Sequence, residues 1–337
     1  MALRTRITEL LGVDHPVVLG GMGSGGTGHA LVAAVSAAGG LGILSATWLA
    51  PDEQRAEVEA IRQRTDRPFG LNHLLCFLDE ERFAASPARR PRVISTAWPW
   101  SSQELAPSWD RAHQQGALVL HMVSSVPEAV RAAEAGADVI VAQGTEGGGH
   151  VGWMGSMALV PMVVRAVAPL PVLAAGGVAD GAGLAAALAL GAEGVLLGTR
   201  FLASVESPVP DGFKRTILDS DGHDTLLTEI PDIAAGRVWP GAMSRVRRNR
   251  FIERWAGREW ELRQRRDQVG PAVAEARRRD DTEEYTIGTG QTAGLITDLK
   301  PAAQIVHDVV AQAETIIAER LAGLVATPAS AVDGGRA

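Results

Sequence analysis

"VVLGGMGSGGTGHALVAAV", residues 17–35, carries Gly21, Gly23 and Gly26 in G-x-G-x-x-G spacing, after an apolar run and ahead of an alanine-rich stretch. Two folds can open this way. In a dinucleotide-binding sheet the loop cradles a pyrophosphate, and an acid roughly 20 residues on, at the end of the second strand, holds the ribose. Here that strand candidate ends "GILSATWLAP", with Ser45 and Thr47 where the acid belongs, and "TGHA" delays the helix. In a barrel of parallel strands the stretch is instead the first strand's C-terminal loop, at the face where active sites form. Six glycines within residues 20–28 let the backbone approach a flat ligand closely, with peptide N–H groups as donors. Met22 would lie against that ligand.

The following 180 residues decide for the barrel. Eight short apolar runs recur at 16–20, 41–46, 69–75, 92–98, 117–124, 138–144, 171–178 and 194–201. Each leads into a helix pattern or a loop and then one. Continuous apolar runs rich in small residues mark parallel strands buried on both faces. Eight of them predict a (β/α)8 TIM barrel in the α/β class. After Ser207 the rhythm fails. Residues 210–295 are richer in Arg, Asp and Glu, and "AMSRVRRNRFIERW" and "GPAVAEARRR" read as helices. A barrel-type helix returns within 300–324. The expected organisation is therefore a barrel from 1–209 and 296–325, a mostly helical covering segment over 210–295 between the last strand and the last helix, and a disordered tail at 326–337.

Bulk properties narrow the function. The chain has 337 residues, is 46% hydrophobic and carries a net charge of −7. Without a basic stripe over its first 240 positions, nucleic acid is not an expected partner. The basic run near 245–266 reads as the solvated face of helices. The single cysteine, Cys76, excludes an internal disulfide and a cysteine metal cage, and its apolar neighbours suggest a buried residue. No run reaches membrane-spanning length, and the N-terminus lacks the apolar core of a signal peptide, so a soluble cytoplasmic protein is expected.

Chemistry should gather at the strand ends. "AQGTEGGGHVG", 142–152, closes the sixth run with Gln143, Glu146, Gly148 and His150. "AAGGVADG", 174–181, closes the seventh with Gly176 and Gly177 ahead of Asp180; "LGTRF", 197–201, closes the eighth with Gly198, Thr199 and Arg200. Loops after strands seven and eight of such barrels bind phosphate through backbone N–H groups, so a phosphate-bearing cofactor is expected. A histidine in a glycine loop is often only a spacer. His150 has no helix to bury it and stands on the functional face, which makes it the catalytic candidate, since imidazole exchanges protons near neutral pH. His73 could reach the site from the third run, and His121 could point into the barrel as a core residue. No metal-ligand spacing and no G-x-S-x-G elbow occurs, so no metal is expected.

The motifs "AQGTEGGGHVG", "AAGGVADGAGLAAALALGAEGVLLGTRFL", "GQTAGLI", "HPVVLGGMGS", "AVSAAGGLGIL" and "RPFGLN" together resemble the nitronate monooxygenase (2-nitropropane dioxygenase-like) family. The FMN-dependent enoyl reductases belong to the same structural group. The resemblance spans roughly residues 5–325. It implies FMN at the C-terminal face, touched by Gly21, Met22 and Gly23, with Asn72 and Gln143 on the flavin ring or ribityl chain. Gly148, Gly176, Gly177, Leu197, Gly198 and Thr199 would surround the phosphate side, and His150 would be the base or acid beside the flavin. Trp98, Trp100 and His121 depart from the family pattern and bear on the substrate.

The leading expectation is oxidation of alkyl nitronates with O2. The alternative on the same scaffold is an NAD(P)H-dependent reductase of quinones or enoyl thioesters, with Arg200 or the 245–266 run as possible phosphate recognition. A flavin-free sugar-phosphate lyase or isomerase would want a lysine at a strand end, and Lys214 and Lys300, the two in the chain, are not placed there. A binding module without catalysis fits poorly with polar residues at so many strand ends. The partner expected is a small-molecule substrate, and the oligomeric state stays open.

Overall fold

The computed structural model describes residues 3–23 and 25–325. All eight apolar runs form strands: β1 Val17–Leu19, β2 Leu41–Ser45, β3 Phe69–Leu74, β4 Val93–Ala97, β5 Leu118–Val123, β6 Val139–Gln143, β8 Val172–Ala175 and β9 Val195–Leu197. They close one parallel barrel in the order β1-β2-β3-β4-β5-β6-β8-β9, and β9 pairs back onto β1 with Val18 opposite Leu196. The (β/α)8 architecture expected from the runs is the one observed.

Alternation along each strand separates two apolar layers. Val18, Leu41, Ile43, Val93, Leu120 and Leu173 fill the interior, and Ile7 and Leu11 of the helix Arg6–Leu11 join them. Leu19, Leu44, Leu71, Val119, Ile140 and Leu197 face outward against the surrounding helices. The last helix, Ala302–Thr315, lies against Gly181–Ala189 so closely that a Cβ on Gly181 would meet the Ala313 nitrogen at 2.5 Å. Among the described residues no helix is long and apolar enough to cross a membrane.

A second sheet was not anticipated. Three strands, β10 Thr225–Thr228, β11 Met243–Arg247 and β7 Gly149–Val151, pair antiparallel in the order β10-β11-β7. The stretch "AMSRVRRNRFIERW", read from sequence as helix, is thus β11 followed by a helix over Arg250–Trp255. Asn249 explains the break: its Oδ1 accepts from the Ile252 N–H at 3.1 Å, which sets the helix start after the strand. The solvated-face reading of the basic run also needs correction. Arg245 is buried, its Nε donating to Thr145 O at 2.8 Å. Arg250, Arg254 and Arg258 do lie at the surface, paired with glutamates. The tail expected at 326–337 lies outside the described residues.

Two histidines sit in the outer layer. His73 Nε2 lies 2.7 Å from Ser86 Oγ with its ring against Phe83, and burial pushes its pKa down to about 4. His121 is likewise pushed down to about 3, chiefly by burial. In the unfolded chain both titrate near 6.5, so their contribution to stability is complete above that pH and declines as pH falls toward 4. Each costs about 1.4 kcal/mol per pH unit in that window. Urea unfolding at pH 5 is expected to show a few kcal/mol less stability than at pH 7, with the difference reduced in His73→Gln. An equal midpoint at the two pH values would refute this.

Candidate active site

The C-terminal ends of the strands open into a cavity of about 700 Å³. Glycine loops and side chains share its lining. Gly21, Met22 and Gly23 line it from the loop after β1, Asn72 from β3, Gln143 and Gly148 at and after β6, Gly176 and Gly177 after β8, and Gly198 and Thr199 after β9. The glycines are required at particular points. Gly176 and Gly177 have φ of +77° and +75°, and a Cβ on Gly176 would lie 2.6 Å from the Gly144 carbonyl oxygen. A Cβ on Gly21 would lie 2.4 Å from that of Asn72. Leu197 stands apart from this set. Its side chain packs in the outer layer and its carbonyl accepts from the Gly20 N–H at 3.0 Å, so it supports the first loop without lining the cavity.

Two side-chain amides border this space. Asn72 Nδ2 donates to Gly21 O at 3.2 Å, tying β3 to the first loop. Gln143 Oε1 is buried with no hydrogen-bond partner. A buried acceptor left open is costly unless something fills the position.

His150 lies on β7, where it pairs with Ser244 of β11. The second sheet therefore holds the histidine over the barrel mouth. Its Nε2 is 2.9 and 3.0 Å from the two carboxylate oxygens of Asp232. One ring face is covered by the indole of Trp239, 3.4 Å between centroids and nearly parallel at 13°. Trp239 sits in a loop bounded by Gly236 and Gly241, both at positive φ, and touches Phe77 and Trp98 edge-on. Asp232 and Trp239 escaped the sequence reading. Asp232 is 82 positions from its partner histidine; the visible signal was a tryptophan between two turn glycines in "GRVWPG", residues 236–241.

Other candidates turn out to serve the framework. The Glu146 carboxylate accepts from Ser156 N and Oγ, capping the helix Ser156–Val167. Asp180 caps Gly181–Ala189 through the Gly183 N–H at 2.9 Å. Arg200 is buried and donates to Asp298 and to the Ala203 carbonyl, so it is not presented to a nucleotide phosphate. His73 points into the outer layer and does not reach the cavity. His121 also leaves the barrel, toward Trp109, because Leu120 and Met122 on either side of it take the inward positions of β5. Burial pushes the Cys76 thiol up to about 12, which disfavours the thiolate.

A closed parallel barrel with a glycine-walled cavity and an oriented histidine at its C-terminal face defines a TIM-barrel enzyme. The chain belongs to the nitronate monooxygenase family, whose model matches residues 4–85 and 79–312. It is 35% identical, over 94% of this chain and 97% of that protein, to the (3aS,4S,5R,7aS)-5-hydroxy-7a-methyl-1-oxo-octahydro-1H-indene-4-carboxyl-CoA dehydrogenase of Mycobacterium tuberculosis. Among solved structures, FabK from Thermotoga maritima superposes with a TM-score of 0.85 at 36% identity, covering 96% of this chain and 99% of that one. Nitroalkane oxidase from Streptomyces ansochromogenes follows at a TM-score of 0.78 and 28% identity, covering 95% and 99%. The chain is accordingly an oxidoreductase of this family.

Proposed function

We propose that the protein is an FMN-dependent oxidoreductase in which His150 is the proton-transfer group. The observation that carries this reading is the cavity wall: an unpaired buried Gln143 Oε1 beside glycine loops packed so closely that a Cβ on Gly21, Gly148 or Gly176 would meet Asn72 or neighbouring backbone. A flat ring bearing an N–H and a phosphate meets both needs. Gly176, Gly177, Gly198 and Thr199 would hold the phosphate side through N–H groups, with Gly148 beside them in the cavity wall. Gly21, Met22 and Gly23 lie along the ring system, with Asn72 and Gln143 supplying hydrogen bonds. When bound, the flavin supplies the electron exchange with the substrate carbon.

The chain's own residues handle the proton. Asp232 accepts from Nε2–H, which leaves Nδ1 as the nitrogen that takes a proton from an acidic C–H or returns one. Trp239 keeps water from one face of the imidazole. Residues 210–295 act as the covering segment, since they bring Asp232, Trp239, Ser244 and Val273 to the cavity.

For the substrate, the first reading is an alkyl nitronate oxidised with O2, in keeping with the family and with a base poised for an acidic C–H. A second reading is favoured by the size of the cavity, about 700 Å³, and by the named CoA dehydrogenase relative: a CoA thioester, with NAD(P)H as a possible partner. The purified protein is expected to show flavin absorption near roughly 370 and 450 nm, or to take up added FMN. Anaerobic bleaching by propyl-2-nitronate supports the first reading; bleaching by NADH, NADPH or a CoA thioester supports the second. A colourless protein that fails to take up FMN would overturn both.

A further inference from the structure

Beside the ends of β4 and β5 lies a second chamber of about 400 Å³. Trp98 and Met122 line both this chamber and the main cavity, so the two adjoin across them. Trp98 follows β4 with φ of +57°, a left-handed conformation that a bulky residue adopts only when its surroundings impose it. Its carbonyl accepts from the Cys76 N–H at 2.9 Å, and its indole meets Trp239 edge-on. The strain falls at the partition between the two spaces.

The chamber is mostly apolar, walled by Trp98, Trp100, Leu105, Met122 and Pro240. Its charged rim is already engaged. Glu128 accepts from Ser124 N and Oγ at 2.7 and 3.0 Å, and Arg131 donates to the Trp100 and Gln103 carbonyls. The buried polar side chain of the chamber is His121, 2% exposed, whose Nδ1 lies 2.8 Å from Thr96 Oγ1, while Ser101 stands exposed on the rim. Burial and the nearby Arg131 hold its pKa well below neutrality, so the ring is uncharged. An uncharged imidazole with Nδ1 engaged presents Nε2 as its second hydrogen-bonding atom. Both rim charges, Glu128 and Arg131, make these hydrogen bonds with neutral groups of the protein.

We propose that this chamber is a second compartment of the substrate site. It takes the non-reacting end of the substrate, a compact uncharged apolar ring or chain carrying one hydroxyl or carbonyl oxygen that bonds to His121 Nε2. The proposal rests on reading the main cavity as the reaction site.

The test is calorimetric titration of the flavin-loaded protein with indane and with 1-indanol, two probes of nearly equal shape. 1-Indanol is expected to bind about 10-fold more tightly, the worth of one neutral hydrogen bond. His121→Leu should level the two affinities while indane still binds. Ser101→Trp, at an exposed position on the chamber rim and outside the main cavity, should weaken both, and it keeps the test alive if His121→Leu does not fold. Equal affinities in the wild type, discrimination that survives His121→Leu, or binding indifferent to Ser101→Trp would each overturn the proposal. FMN titration of the same proteins reads the main cavity separately. Its failure would count against the flavin reading and leave the probe comparison on the protein as purified to judge the chamber.

Discussion

His150→Asn is expected to lower kcat by about 10²–10⁴-fold, the range for removing a general acid or base, while FMN affinity changes little. Asparagine is too short to keep the contact that Nε2 makes with Asp232, and it has no nitrogen that takes up a proton. The backbone of His150 is held by β11 independently of its side chain, so β7 should persist. Asp232→Asn should reproduce part of the loss. With the carboxylate gone, the imidazole is no longer fixed with its proton on Nε2. Because the two residues act as a unit, the double variant should lose less than the product of the single losses. Steady-state kinetics beside an FMN titration separates the roles. Wild-type turnover in His150→Asn would remove the histidine from the chemistry.

Gly176→Val should weaken cofactor binding on the order of 100-fold, from a strained backbone and a blocked approach acting together. The φ of +77° is poorly tolerated by a β-branched residue, and the added Cβ would lie 2.6 Å from the Gly144 carbonyl oxygen in the neighbouring loop. Relief of that clash must move the loop after β6 or the loop after β8, and the second belongs to the proposed phosphate cradle. Gly136→Val provides the control. Gly136 has a comparable φ of +98°, nothing lies within 4 Å of its Cβ, and it precedes β6 at the opposite end of the barrel. It should lose stability and keep FMN. Equal FMN loss in both variants would mean that general destabilisation, and not the cradle, is being read.

Much of the barrel was legible in the linear chain because its signals are local. A parallel strand buried on both faces needs a continuous apolar run, and eight such runs each followed by a helix pattern leave little choice of topology. The glycines at the ends of β1, β6, β8 and β9 were legible for the same reason, since a backbone that must approach its neighbour excludes Cβ at that very position. The opening G-x-G-x-x-G resolved by the same logic: no acid followed at the end of β2, and the loop belongs to the barrel mouth.

The interrupting segment was not legible. In "AMSRVRRNRFIERW" the strand is stabilised by pairing β10 on one side and β7 on the other; a helix separates it from β10, and β7 is far off in sequence. Charge content favoured a helix there, and tertiary pairing outweighed it. His121 shows the limit at a single position. A histidine in a strand points to one face or the other according to register, and only the inward places of Leu120 and Met122 decided that it faces Trp109.

The sequence by itself determined the barrel, the face that carries chemistry, and His150 as the candidate proton carrier, because periodicity and glycine placement act over a few residues. Only the tertiary structure decided what orients that histidine and what surrounds it. Asp232, Trp239 and the chamber beside Trp98 are made by contacts between distant segments, whose energies depend on geometry that no local pattern encodes.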